Sequence, residues 1–125
     1  MTGQAIIGST DISNLIVDGS YKMDLEPSYQ SWEDGNYVEH RIYARQKIRG
    51  EFDVALGSKA GKTMAQFMTI LNGATTNNVT LGTFYVTNKG TVEAVNAYVT
   101  LTSKEHILTA DGSFIDVVSV EVTER

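Results

Sequence analysis

The sequence contains no cysteine, which excludes disulfides and thiolate metal sites and leaves stability to packing or to assembly. Proline occurs once, at Pro27, so turns have to be built from the eleven glycines and from asparagine, aspartate and serine. No stretch approaches the ~20 consecutive apolar residues of a membrane-spanning helix, and MTGQAIIGSTDIS lacks a basic segment ahead of its short apolar run. Neither a membrane partner nor a secretory leader is expected, and Asn78-Val79-Thr80 is then a chance match to the glycosylation sequon. Tryptophan occurs once, at Trp32, and histidine twice, at His40 and His106.

What is present is a chain of 125 residues with a net charge of -5, the size of one domain spanning residues 1–125. The acidic average hides an ordering along the chain. Residues 1–40 carry seven acidic groups against Lys22 alone, whereas residues 41–62 carry six basic groups against Glu51 and Asp53. An overall acidic chain argues against a sequence-specific nucleic-acid binder, yet its middle third is basic.

That basic charge lies in VEHRIYARQKIRGEFDVAL, Val38 to Leu56, which alternates for nineteen residues. Val38, Ile42, Ala44, Ile48, Phe52, Val54 and Leu56 occupy even positions and Glu39, Arg41, Arg45, Lys47, Arg49, Glu51 and Asp53 odd ones, as a half-buried strand requires, with His40, Gln46 and Gly50 the exceptions on the apolar face. Fully extended, this strand spans ~63 Å at ~3.3 Å per residue. That is longer than a compact domain of this size, so the strand either bends at Gly50 or projects as part of a hairpin.

Other strands are expected at Gln4–Ile7, Leu15–Met23, Thr80–Thr87, Thr91–Thr102 and Ser113–Thr123, with turns at Ser9-Thr10-Asp11, Asn88-Lys89-Gly90 and Ala110-Asp111-Gly112. Glu26 to Asn36 reads as a loop. Met64, Phe67, Met68 and Leu71 recur at three- and four-residue spacing, which predicts one helix at about 63–72, closed by Asn72-Gly73. The expected fold is mainly β: an antiparallel β-sandwich or partly open barrel with one packed α-helix and a long strand or hairpin around 38–56.

Chemical motifs are weak. Gly57-Ser-Lys-Ala-Gly61-Lys62-Thr63 has three residues between its glycines where a phosphate-binding loop needs four, and no βα repeat surrounds it. His40 and His106, without a carboxylate cluster, make a poor metal site, and Glu33-Asp34 reads as a solvated turn. Catalytic, cofactor-binding and metal residues are therefore expected to be none. Tyr29, Trp32 and Tyr37 mix aromatics with amides and acids as glycan- or peptide-binding loops do, an alternative to aromatics that merely pin a loop.

Taken together, WEDGN (Trp32–Asn36), VEHR (Val38–Arg41), KIRGEFDVAL leading into TMAQFMTIL, and SKEHILTADGSFIDVVSVEVTER resemble small prophage-encoded virion proteins of Gram-positive gut bacteria. In architecture the chain resembles the tail-tube family of tailed phages. That resemblance implies long strands that join neighbours' sheets, one flanking helix, and rings that stack into a tube. Expected partners are copies of itself and other virion proteins, with passive passage of DNA; expected localisation is the bacterial cytoplasm and then a virion or tail-like particle. Distal tail and capsid accessory positions stay open beside the tube. Arg41, Arg45, Lys47 and Arg49 are the expected subunit interface, meeting an acidic surface that carries Asp18, Asp24 and Glu26.

Overall fold

The computed structural model describes residues 3–33, 35, 39–58 and 60–125, with the side chains of 27–33 and 39–45 set aside. In chain order the elements are β1 (Ala5–Ile7), β2 (Thr10–Asp11), a 3-10 turn (Ser13–Leu15), β3 (Lys22–Glu33), β4 (Glu39–Leu56), α1 (Met64–Gly73), β5 (Thr75–Thr76), β6 (Val79–Val86), β7 (Thr91–Leu108) and β8 (Phe114–Glu124). Mainly β with one helix, this is the fold class expected.

The strands form one antiparallel sheet in the order β2-β1-β6-β7-β8-β4-β3, with β5 beside β6, and the sheet does not close. It curls instead. Phe52 of β4 meets Phe84 of β6 at 6.1 Å between ring centroids, although three strand steps separate them along the sheet. Tyr21 stacks on Phe52 at 5.7 Å and donates its hydroxyl to the Tyr85 carbonyl at 2.7 Å, tying the approach to β3 onto β6. Burial pushes the Tyr21 phenol far above its ordinary pKa, so it stays a neutral donor. Where β3 meets the end of β6, Thr87 N donates to Met23 O at 2.9 Å.

The inward row holds the core. Ile48, Phe52, Val54 and Leu56 of β4 are buried while Arg49 and Glu51 are exposed, so the even–odd pattern holds through this half of the strand. Val118, Val120 and Val122 of β8 and Val95 and Ala97 of β7 complete the row, and Phe67 and Leu71 of α1 cover it. Each Val, Ile, Leu or Phe in it contributes about 1.5–3 kcal/mol by leaving water.

Helix α1 starts with a reciprocal cap: Thr63 Oγ1 accepts from Gln66 N at 3.3 Å, and Gln66 Oε1 accepts from Thr63 N at 2.9 Å. Its other end is fixed by Thr75, whose hydroxyl donates to Leu71 O at 2.6 Å and lies 2.7 Å from the hydroxyl of the buried Thr80.

Three expectations change. Leu15–Met23 is not one strand: Ser13–Leu15 is a 3-10 turn, Ile16 makes an isolated bridge to Val54, and the strand begins at Lys22. Ser13 explains the break, because its buried hydroxyl accepts from Gln4 N and Ala5 N at 3.1 and 3.0 Å and pins the turn to β1. The loop expected from Glu26 to Asn36 is strand as far as Glu33, paired with β4 down to Glu33↔Glu39; Pro27 misled because an edge strand tolerates it. Finally, Gly73 is the last residue of α1 with no left-handed φ, and Ala74 caps the helix.

Candidate assembly surface

Strand β4 runs unbroken through Gly50. There it pairs with Met23 on one side and Val122 on the other, with no shift of register. A Cβ at Gly50 would lie 2.1 Å from Lys22 O and 2.6 Å from Met23 Cα, so glycine is required by close approach of two strands and not by a turn. The pairing through Gly50 is continuous, and past it β4 leaves β8 while keeping β3 alongside. β8 pairs with β4 only from Arg49 to Leu56, and Glu124 Oε1 ends that ladder by accepting from Ile48 N at 3.0 Å. From Glu39 to Ile48 the only strand beside β4, among the described residues, is β3. Ten residues at ~3.3 Å each make a two-stranded ribbon of ~33 Å past the last β4–β8 pair, Arg49↔Thr123. A register shift at Ser28/Tyr29 adds twist to it.

Of the expected interface residues, Arg41 and Arg45 sit on this ribbon, their backbones opposite Ser31 and Ser28; their side chains lie outside those described. Lys47 stands opposite Glu26 and Arg49 opposite Asp24. Arg49 Nη1 lies 3.8 Å from Glu26 Oε2, both side chains more than half exposed, a pair contributing at most about 1 kcal/mol. The structure thus brings Asp24 and Glu26 alongside the basic strand within one chain, while Asp18 stands apart in the turn before β3. Lys22, Asp24, Glu26, Arg49, Glu51 and Glu121 surround a shallow depression of about 240 Å³ over Gly50. Tyr29 and Trp32 lie on β3, with side chains outside those described; Tyr37 lies outside the described residues altogether.

The glycine-rich segment closes on itself. Gly57 N donates to Lys62 O at 2.8 Å and Ala60 N to Gly57 O at 3.1 Å, and Thr63 is engaged in the helix cap. Ser58 Oγ accepts from Phe114 N at 2.8 Å, which anchors this loop to β8. Among the described residues, no cluster of three histidine or carboxylate side chains is placed to hold a metal.

Sequence reasoning missed the full length of β7. β7 continues to Leu108, six residues past its expected end, and pairs first with β6 (Thr91 to Val86 through Ala97 to Thr80) and then with β8 (Ala97 to Leu108). Beyond Ala97 its β6 side carries no strand among the described residues. Near the bulge between Ser103 and Glu105, Lys104 Nζ reaches across β8 to Asp53 Oδ2 at 3.0 Å, which holds the ammonium above its ordinary pKa. His106 Nδ1 pairs with Asp116 Oδ1 beside the Phe114 ring. Tyr98, Ile107 and Leu108 are exposed on this strand, Leu108 by 72%. In the turn that follows, Asp111 accepts from the Thr109 hydroxyl and from the hydroxyl and amide of Ser113, and these bonds lower its carboxyl pKa to about 2.

No protein-family model and no curated protein matches this sequence. Among solved structures it is similar to a chain in the cryo-EM structure of an extracellular contractile injection system, the PVC sheath-tube complex in its extended state. The identity is 17%, over 94% of this chain and 82% of that one, with a TM-score of 0.44.

Proposed function

We propose that this chain is a non-enzymatic structural protein that assembles with copies of itself into rings or a tube, as a tail-tube or related tail component of a phage or prophage particle. The observation that carries this reading is the β3–β4 ribbon. From Glu39 to Ile48, β3 is the one strand beside β4 among the described residues, and a two-stranded ribbon in water is marginal by itself. A chain that extends such a ribbon well past its core gains stability by pairing it with something else, and a second copy is the simplest partner. The basic residues 41–49 then act at the junction, setting register and orientation more than affinity. A prophage of Gram-positive gut bacteria is the source that the sequence resemblance suggests. DNA passing through such a tube is cargo and not a specifically bound ligand.

The test is assembly itself. Concentrated protein should sediment as a discrete oligomer and show rings or tubes in negative stain, and Arg45→Glu with Lys47→Glu should abolish those particles while the circular dichroism spectrum stays native. A chain that remains monomeric at high concentration counts against the proposal. Particles that survive the double charge reversal would remove its electrostatic part.

A further inference from the structure

Sheet edges are where a β protein either invites or refuses a partner, and the long edges of this chain are treated differently. On β3, Met23 O is bonded to Thr87 N, and the Asn88 side chain forks onto Leu25, accepting from its N–H and donating to its carbonyl at 2.8 Å each. The next residue in that outward row is Pro27, which has no N–H to offer. The β3 edge is therefore blunted from Met23 to Pro27.

The β7 edge is not. Leu81 donates to Ala74 O at 3.0 Å and accepts from Gly8 N at 2.8 Å, so its main chain turns away from β7; opposite it, Asn96 O accepts from Arg125 N at 2.9 Å, on the β8 side. By the alternation of an antiparallel ladder, Tyr98, Thr100 and Thr102 face β8, whereas Val99, Leu101 and Ser103 turn N–H and C=O outward, continuing the row that β6 occupies up to Ala97. None of these three residues is buried. The row ends at Lys104, the extra residue of the bulge between Ser103↔Val118 and Glu105↔Val117, after which the outward parity changes from odd to even. A straight incoming strand therefore pairs as far as Ser103 and no further.

We propose that the β7 edge from Val99 to Ser103 receives the open edge of β4, residues 39–46, from a second copy of the chain, with the Lys104 bulge as the stop that fixes its register. This rests on the assembly reading above and adds which edges meet. Two observations select the partner. The β4 ribbon and the outer edge of β3 past Pro27 are the other long strand edges left without a strand neighbour among the described residues, and of the two it is β4 that carries the basic residues. Charge is also complementary: residues 39–49 hold Arg41, Arg45, Lys47 and Arg49 against Glu39, whereas residues 91–125 hold six acidic groups against Lys104 and Arg125. Because the two edges differ, the contact is head-to-tail, and such contacts close into rings or run on as filaments.

Amide hydrogen exchange on the wild-type chain tests this in both states. In dilute protein, Val99, Leu101 and Ser103 should exchange freely while Thr100 and Thr102 are protected; on assembly the first three, together with the outward amides of residues 39–46, should slow by at least about tenfold. Assembled particles in which Val99, Leu101 and Ser103 still exchange freely would overturn the proposal while leaving self-assembly intact. Protection on β7 without protection on β4 would likewise overturn it, since another strand would then fill the edge. Failure to assemble at all sinks the functional reading instead. Ser103→Pro gives an independent arm, because it deletes an outward N–H that the isolated chain does not use: the monomer should keep its Tm, and the concentration for half-assembly should rise at least about tenfold. An unchanged assembly concentration in a folded Ser103→Pro protein would count against the edge.

Discussion

At Gly50 a side chain has no room, because Lys22 O and Met23 Sδ would lie 2.1 and 2.7 Å from its Cβ. Gly50→Ala should cost about 1–3 kcal/mol in urea unfolding, because the obstacle is backbone and cannot rotate aside. Gly73→Ala, with nothing within 4 Å, should be neutral or stabilising; equal effects at the two positions would refute the close-approach account. Nothing in the sequence distinguishes these glycines, since the strand that crowds Gly50 lies 27 positions earlier at Met23. Asp111 is different, because its partners Thr109 and Ser113 are local and the Asp-Gly turn was legible. Its folded-state pKa, about 2, lies below the ordinary 3.8, so the unfolded chain takes up the proton first. The turn's contribution is complete above the ordinary value and is lost as pH falls toward 2. A carboxyl carbon-13 titration of Asp111 should therefore show a midpoint near 2, and a midpoint near 3.8 would mean that the three donors do not converge on it.

At the scale of elements, α1 was legible from the spacing of Met64, Phe67, Met68 and Leu71, whereas the Thr63–Gln66 cap that starts it was not read from the sequence although both partners are local. Thr63→Ala should cost about 0.5–2 kcal/mol, read as a lower urea midpoint with unchanged slope. An unaltered midpoint would show that packing of Phe67 and Leu71 alone holds the helix start. The ends of β3 and β7 were not legible in the same way. Pro27 reads as a loop residue until the strand that holds it is known to be an edge. Ser103 to Leu108 loses its alternation because a bulge at Lys104 shifts the pattern, and only pairing with β8 makes it strand.

For the whole molecule, the acidic and basic segments read from the chain do not sit where a linear reading puts them. Asp24 and Glu26 flank Lys47 and Arg49 across one hairpin, so part of the acidity assigned to a neighbour is already met at home. In sequence, residues 39–49 are net basic and residues 91–125 net acidic, and the assembly and edge experiments above act at that scale. By itself, the sequence determined the mainly β class, the buried row of β4 from Ile48 to Leu56, the helix, and the absence of cysteine. These depend on period-two or period-3.6 patterning and on neighbours a few residues away. Only the tertiary structure decided which strands lie side by side, that Gly50 sits where two strands approach too closely for a side chain, and which edges are closed by Asn88 and Pro27 or, among the described residues, left without a strand at Val99 to Ser103. Alternation fixes the face a side chain takes; it carries no information about the strand next to it, because that pairing is made by main-chain groups every residue shares.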